Sequence, residues 1–240
     1  MEATENTGNE ILEVIAEATK FNFWMYKTIK PYLQGNILEI GSGIGNISTY
    51  FLVDNAKITL SDTNTFYIII LKNKFTKYKN LNEIFLLDIQ DPAFEITYAA
   101  YKEQYDSIFL LNVLEHVPDD NAAIKNCNFL LRTGGILLVL TPAYGFLFSR
   151  LDKALEHYRR YTIKRLNALF QKNNIATKKS FYFNALGIIA WLYGKLLRLK
   201  NIPAGEMGLY NKITGVAKII DKVSFHKIGL SVIAIGKKSN

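Results

Sequence analysis

Short, unbroken apolar runs alternate with helical stretches through the middle of the chain, and this constrains the fold more than any other feature. "NILEI" (36–40), "KITLSD" (57–62), "IFLLDI" (84–89), "YDSIFLLNV" (105–113) and "GGILLVLTP" (134–142) each read as a strand. Residues 46–54 and 65–78 read as helices between them, the second capped by Asn64, and another helix separates the last two strands. Strands that are apolar throughout and separated by helices predict a parallel sheet covered on both faces, a doubly wound α/β fold. "KKSFYF" (178–183) and "LSVIAIGKK" (230–238) predict two further strands. The stretch between them, 184–229, is too long for a hairpin loop and carries helical patterns around 188–199 and 211–223, so it reads as an insertion over one end of the sheet.

The expected organisation is one domain over 1–240: a helical lid (1–34), a core (35–183), the helical insertion (184–229) and the last strand (230–240). Ile11, Leu12, Ile15 and Ala18 share one face of the first predicted helix, and a second spans 22–32. The single cysteine, Cys127, excludes an internal disulfide and any zinc site built from several cysteines, which points to a cytoplasmic setting. "MEATENTGNE" carries no signal-peptide pattern. The apolar stretch 181–194 falls short of the roughly 20 residues a spanning helix needs and is interrupted by Asn184 and Gly187. A net charge of +8 fits an acidic partner, and equally an ordinary lysine-rich surface.

"LEIGSGIGN" places Gly41, Gly43 and Gly45 between the first strand and the following helix. Glycines there permit positive φ and close approach of a ligand to the main chain, and the helix offers free N–H groups. A nicotinamide or flavin fingerprint would need its third glycine at position 46, which is Asn46. Asp62 ends the second predicted strand about twenty residues on, where a carboxylate can accept both hydroxyls of a ribose. Asp88 lies at the end of the third. Each aspartate alone reads equally well as a turn former.

"LEIGSGIG", Asp62, "LLDI" and "YDSIFLLNVLEHVPD" together resemble the successive motifs of class I S-adenosylmethionine-dependent methyltransferases, over roughly 35–142. The resemblance implies a seven-stranded sheet with its last strand antiparallel, and S-adenosyl-L-methionine as cofactor. It implies that Glu39, Gly41, Gly43 and Gly45 shape the pocket for the methionine part and that Asp62, with Thr63, holds the ribose. Asp88 would approach the adenine amino group with Ile89 beside the ring, and Asn112 would lie near the methionine end. "LDKALEHYRRYT" and "FNALG…W…IGLSVIAIGKK" are similar to a bacterial methyltransferase subgroup often associated with glycosyltransferases. Where that pattern has glycine before the histidine, this chain has Glu156.

Two histidines compete as general base, His116 in "LEHVPDD" and His157 in "EHYRRY". His116 reads equally as a loop-packing residue. Arg159 and Arg160 could fork onto an acceptor phosphate or carboxylate, with Tyr158 and Tyr161 beside them; alternatively they pair with surface carboxylates. Trp24 and Tyr26 in "FNFWMY" are expected over the cofactor as part of the lid, or as helix packing. Trp191, Tyr193 and Met207 are expected to line an acceptor cover, whose apolar content beside Lys195, Arg198 and Lys200 also suits peripheral contact with a membrane surface. No metal-ligand cluster is evident, and Asp119 and Asp120 read as a helix start. The expected function is methyl transfer to a small-molecule acceptor: a saccharide, a natural product or a lipid-linked compound. Three alternatives stay open: an enzyme using the same cofactor without transferring methyl, for example by cyclising its aminobutyryl part; an RNA-directed methyltransferase; and a non-catalytic binding module. "NVLEHVPDD" lacks the Asn/Asp-Pro-Pro-aromatic motif of amino-methylating DNA enzymes, so no DNA partner is expected.

Overall fold

Among the described residues, 16–199 and 206–239 of a computed structural model, seven strands form one sheet. They are β1 (Ile37–Ile40), β2 (Ile58–Asp62), β3 (Leu81–Leu86), β4 (Tyr105–Leu111), β5 (Leu131–Pro142), β6 (Ile175–Phe183) and β7 (Ser231–Lys238), in the order β3-β2-β1-β4-β5-β7-β6. β1 to β5 pair in parallel, and β7 runs antiparallel between β5 and β6. The strand order reverses between β1 and β4, which opens a crevice beyond their carboxyl ends. The expected doubly wound, mostly parallel sheet is the fold that forms.

Successive side chains of the central strands enter opposite layers. Leu38, Ile40, Ile108, Leu110, Leu137, Val139, Val232 and Ala234 join one apolar cluster. Ile37, Phe109, Leu138, Leu140, Ile233 and Ile235 join the other. Both faces are covered, which is why these strands lack polar alternation. At the edge the reading shifts: β3 covers "LNEIFL", not "IFLLDI", because an edge strand half open to solvent tolerates Asn82 and Glu83. Asp88 consequently lies past the strand, in the loop.

The helices are α1 (Thr19–Ile29), α2 (Ser48–Val53), α3 (Thr65–Phe75), α4 (Phe94–Thr97), α5 (Asp120–Leu130), α6 (Arg150–Ala154), α7 (Ile163–Lys172), α8 (Ala185–Leu196) and α9 (Glu206–Val223). Asn64 caps α3 by accepting from the Phe66 amide, and Asp119 caps α5 by accepting from Asn121 and Ala122. The predicted face of Ile11, Leu12 and Ile15 lies outside the described residues, as do Lys200 and the side chain of Met207.

Between β6 and β7, α8 and α9 pack on each other, and α9 also reaches α1. The polar break in the apolar stretch starts α8. Asn184 takes a left-handed φ of 65° and accepts from the Gly187 amide at 2.9 Å. Asp221 of α9 accepts from the Asn184 and Ala185 amides, both at 2.7 Å. Among the described residues, no helix is long and apolar enough to cross a membrane.

Candidate active site

The glycine loop follows β1 with φ of 76° at Gly41, 53° at Gly43 and 79° at Gly45. A Cβ on Gly41 would lie 2.3 Å from Val113 Cγ2, and one on Gly45 would lie 2.3 Å from Phe75 Cε2. The protein's own packing therefore demands glycine at both positions. Asp62 ties the loop to the tip of β2: Oδ2 accepts from the Gly43 amide at 2.8 Å and Oδ1 from the Asn64 amide at 3.0 Å. Burial raises the Asp62 pKa, against the pull of backbone N–H groups from Asn64, Gly43 and Thr63. Thr63 itself is exposed at the loop's edge.

Glu39 is buried in β1 and accepts from the Ser48 hydroxyl, which fixes it to the start of α2. Burial pushes its pKa up to about 8 against the hydroxyl hydrogen bonds, so the group holds a proton at neutral pH. Asp88 accepts from the Gln90 amide at 2.8 Å, and its own amide donates to the Tyr98 hydroxyl at 2.9 Å. Ile89 packs into the core, its carbonyl accepting from Asn126 Nδ2 at 2.9 Å. Asn112 directly follows β4 in a left-handed conformation and is exposed, with its amide donating to the Leu140 carbonyl at 2.9 Å. Glu39 thus lies within β1, the three glycines follow it, Asp62 ends β2 with Thr63 after it, Asp88 and Ile89 follow β3, and Asn112 follows β4.

The expected aromatic lid is different. Tyr26 is 1% exposed, packs edge-on against Phe51 and donates its hydroxyl to Asp54, so it is a core residue with no open face for a cofactor. Trp24 lies against Phe183 with ring centroids 4.3 Å apart and is likewise buried. The period of α1 turns both rings toward the sheet, where apolar neighbours outweigh any polar site.

His116 and His157 come together, ring centroids 4.6 Å apart and nearly perpendicular. His116 closes a short 3-10 turn after β4 (Leu114–His116). His157 follows α6 through Glu156, whose φ of 59° bends the chain back so that the His157 amide donates to the Asp152 carbonyl at 2.9 Å. His157 Nδ1 lies 3.0 Å from Asp152 Oδ1. Desolvation, with the second imidazole beside it, lowers the His116 pKa to about 4. Glu115, in the same turn, is fully buried, and desolvation pushes its pKa up to about 8. Sequence reasoning misses Glu115, whose one signal is a carboxylate beside His116 between the apolar residues Val113, Leu114 and Val117.

The arginines are committed to the protein. Arg160 donates Nε and Nη2 to Asp152 at 2.8 and 3.2 Å and Nη1 to the Ala143 carbonyl at 3.2 Å, and its guanidinium lies 4.2 Å from the Trp191 ring. Arg159 pairs with Asp120 at 3.0 Å and donates to the Pro118 carbonyl at 2.6 Å. Tyr161 is buried, its hydroxyl on Asp120 at 3.0 Å. A forked grip on an acceptor anion is therefore not how these arginines are used, since internal carboxylates already hold them. Tyr158 remains 58% exposed. Trp191 donates to the Leu147 carbonyl at 3.0 Å, anchoring α8 over the loop that follows β5. Asp152 is also the capping-box residue of α6.

Comparison with known proteins gives the family. A methyltransferase-domain family model matches residues 14–179. Over 111 residues the chain is 30% identical to a ubiquinone biosynthesis O-methyltransferase from Xylella fastidiosa, covering 46% of this chain and 43% of that protein. The match thus spans less than half of that relative. Phosphoethanolamine N-methyltransferase 2 of Haemonchus contortus, solved with phosphomonomethylethanolamine and S-adenosylhomocysteine, has a TM-score of 0.63 at 14% identity, covering 91% of this chain and 53% of that one. The [4+2]-cyclase SpnF has a TM-score of 0.59 at 15% identity, covering 90% of this chain and 80% of that one. At such identities the solved structures establish the fold alone. With the family model matched over more than half its length, the chain belongs to the methyltransferase-domain family, class I enzymes that use S-adenosylmethionine as cofactor.

Proposed function

We propose that this chain methylates a hydroxyl oxygen of a small acceptor, a saccharide, natural product or lipid-linked compound, bound beyond the carboxyl ends of β4 and β5. The residues fit the cofactor: a bend with three glycines in the left-handed region follows β1, and Asp62 keeps lone pairs for a ribose beyond those taken by Gly43 and Asn64. Bound S-adenosylmethionine supplies a methyl on a positively charged sulfur, activated for in-line displacement. The chain must hold the acceptor in line, an alignment that contributes about 7–11 kcal/mol of barrier reduction. His157, with Nδ1 held by Asp152, keeps Nε2 as a proton acceptor, a role that contributes roughly 10²–10⁴-fold. The observation that carries this reading is the placement of the Asp152–His157 pair against the turn directly after β4, at the crevice where strand order reverses. Oxygen as the methylated atom is supported by the O-methyltransferase among the relatives.

The test is a reaction with methyl-labelled cofactor and fractionated extract, read by mass spectrometry. S-adenosylhomocysteine with a labelled acceptor is expected. Methylthioadenosine would instead mark attack at another sulfonium carbon, and turnover confined to RNA fractions, weakening steeply with salt, would mark an RNA acceptor. Either result overturns the proposal.

We further propose that the acceptor lies at an anionic membrane surface. Ile189, Tyr193, Leu196, Ile219 and Val223 are exposed on α8 and α9, and Lys195, Lys218 and Lys222 belong to the same helices. Apolar side chains flanked by lysines suit the interface of a bilayer rich in acidic lipids. Co-sedimentation with phosphatidylglycerol vesicles and not with phosphatidylcholine vesicles is expected; no association with either removes this part.

A further inference from the structure

Glu115, His116 and His157 come from two loops distant in sequence, yet a carboxylate oxygen and one nitrogen from each imidazole lie within 4.8 Å of one another. Both Glu115 carboxylate oxygens are buried without a hydrogen-bond partner in any other of the described residues. Leaving such a group unsatisfied is costly, so a buried carboxylate facing two imidazoles calls for a bound partner. Arg160, whose charge acts on Glu115, is already spent on Asp152, Ala143 and the Trp191 ring.

The surroundings are built as well. Asp152 fixes the His157 ring through Nδ1 at 3.0 Å. Asp152 is held in turn by the Ser149 amide at 2.7 Å and by Arg160 Nε at 2.8 Å. A carboxylate–imidazole pair of this kind is how proteins orient a metal-binding histidine and raise its basicity.

We propose that Glu115, His116 and His157 bind a divalent first-row transition metal ion, zinc best of all, through one carboxylate oxygen and two imidazole nitrogens. Two nitrogens and one oxygen suit such an ion better than magnesium or calcium, and three protein ligands leave a position open. Metal–ligand bonds of about 2.0–2.2 Å would draw the three side chains closer than they stand without the ion. The further role of that open position rests on the methyl-transfer reading: it would take the acceptor hydroxyl and favour its ionised form, as such ions do for bound water. With the ion bound, His157 is a ligand in place of a proton acceptor. The O–H proton then passes to solvent, and the oxygen's electron pair forms the new C–O bond as the C–S pair returns to sulfur.

The metal site is tested on the full chain, stripped with chelator and titrated with cobalt(II) and zinc(II). Expected are uptake of about one equivalent, a visible absorption band for bound cobalt, and displacement of cobalt by zinc. Glu115→Gln and His157→Ala should abolish the band, and Asp152→Asn should weaken zinc binding about 10–100-fold. Cooperative thermal unfolding of each variant confirms that it is folded, and S-adenosylhomocysteine calorimetry reads the cofactor site separately. Wild-type chain that takes up neither metal, or folded Glu115→Gln and His157→Ala variants that bind cobalt as the wild type does, would overturn the proposal. Metal uptake without cofactor binding would leave the metal site standing and remove the methyl-transfer reading; the reverse result would do the opposite.

Discussion

The Gly43 amide donates to Asp62 Oδ2 at 2.8 Å, joining the bend after β1 to the tip of β2 through one carboxylate. The other oxygen holds the Asn64 amide at 3.0 Å, at the start of α3. Asp62 is thus a brace for the loop as well as the proposed ribose ligand. Asp62→Ala should lower stability by about 1–3 kcal/mol, because two amides lose their acceptor. It should also weaken S-adenosylhomocysteine binding at least tenfold, as read by calorimetry. Asp62→Asn keeps one acceptor oxygen and should recover part of the stability but little of the affinity. Wild-type affinity in the alanine variant would remove the ribose role.

Gly41 and Val113 form a second pair. A Cβ at Gly41 would meet Val113 Cγ2 at 2.3 Å, and φ there is 76°. Gly41→Ala should therefore cost about 1–2 kcal/mol for the left-handed backbone and about 1–3 kcal/mol for overpacking. Val113→Ala deletes the clashing methyl, so the double variant should recover the overpacking part and keep the backbone part. Urea unfolding of all four chains measures the difference, and strict additivity would show that the clash relaxes without cost.

Much of this was legible in sequence because it is periodic or local. The central strands read correctly because both faces of the sheet are covered, and Asn64 and Asp119 announced their helices by side-chain chemistry alone. The third strand was misplaced because an edge strand carries Asn82 and Glu83 where the reading looked for apolar residues. Tyr26 resisted reading because an aromatic residue on an amphipathic helix looks the same over a ligand or over Phe51; only its hydroxyl on Asp54 settles the matter. The Glu115–His116–His157 cluster could not be found by spacing, since two loops from different parts of the chain build it. The arginine pair carried no sign of its partners either. Asp120 reads as part of a helix start and Asp152 carries no signal of its own, and their hold on Arg159 and Arg160 is a tertiary fact.

Glu39 makes stability depend on pH. Its folded pKa is about 8 against an ordinary value of 4.5, chiefly through burial. Between those values the folded chain keeps a proton that the unfolded chain has lost, so this contribution is complete below the lower value and fades as pH rises toward 8. Glu39→Gln cannot ionise and keeps an acceptor for Ser48. Wild type should therefore lose on the order of 3–5 kcal/mol relative to Glu39→Gln as pH rises across this window. Glu115 titrates in the same direction, so only the difference between the two chains is informative. Parallel stability curves would show that Glu39 is ionised in the folded state.

Glu156 marks a place where the chain departs from the glycine of the subgroup it resembles, and the structure gives the departure a measurable consequence. Its side chain is exposed, and its φ of 59° lies in the left-handed region that glycine occupies without strain. The turn itself is needed, because it returns the chain so that the His157 amide meets the Asp152 carbonyl at 2.9 Å. Glu156→Gly should relieve about 1–2 kcal/mol of backbone strain. About 0.5–1 kcal/mol of that is offset by the greater freedom of glycine in the unfolded chain. The net gain is roughly 0.5–1 kcal/mol, which for a chain of this size raises Tm by about 1–4 °C. Because the turn is retained, the His157 contact with Asp152 and the visible band of the cobalt-loaded chain should not change. A lower Tm in Glu156→Gly would show that the glutamate side chain stabilises this turn by more than its backbone strain costs.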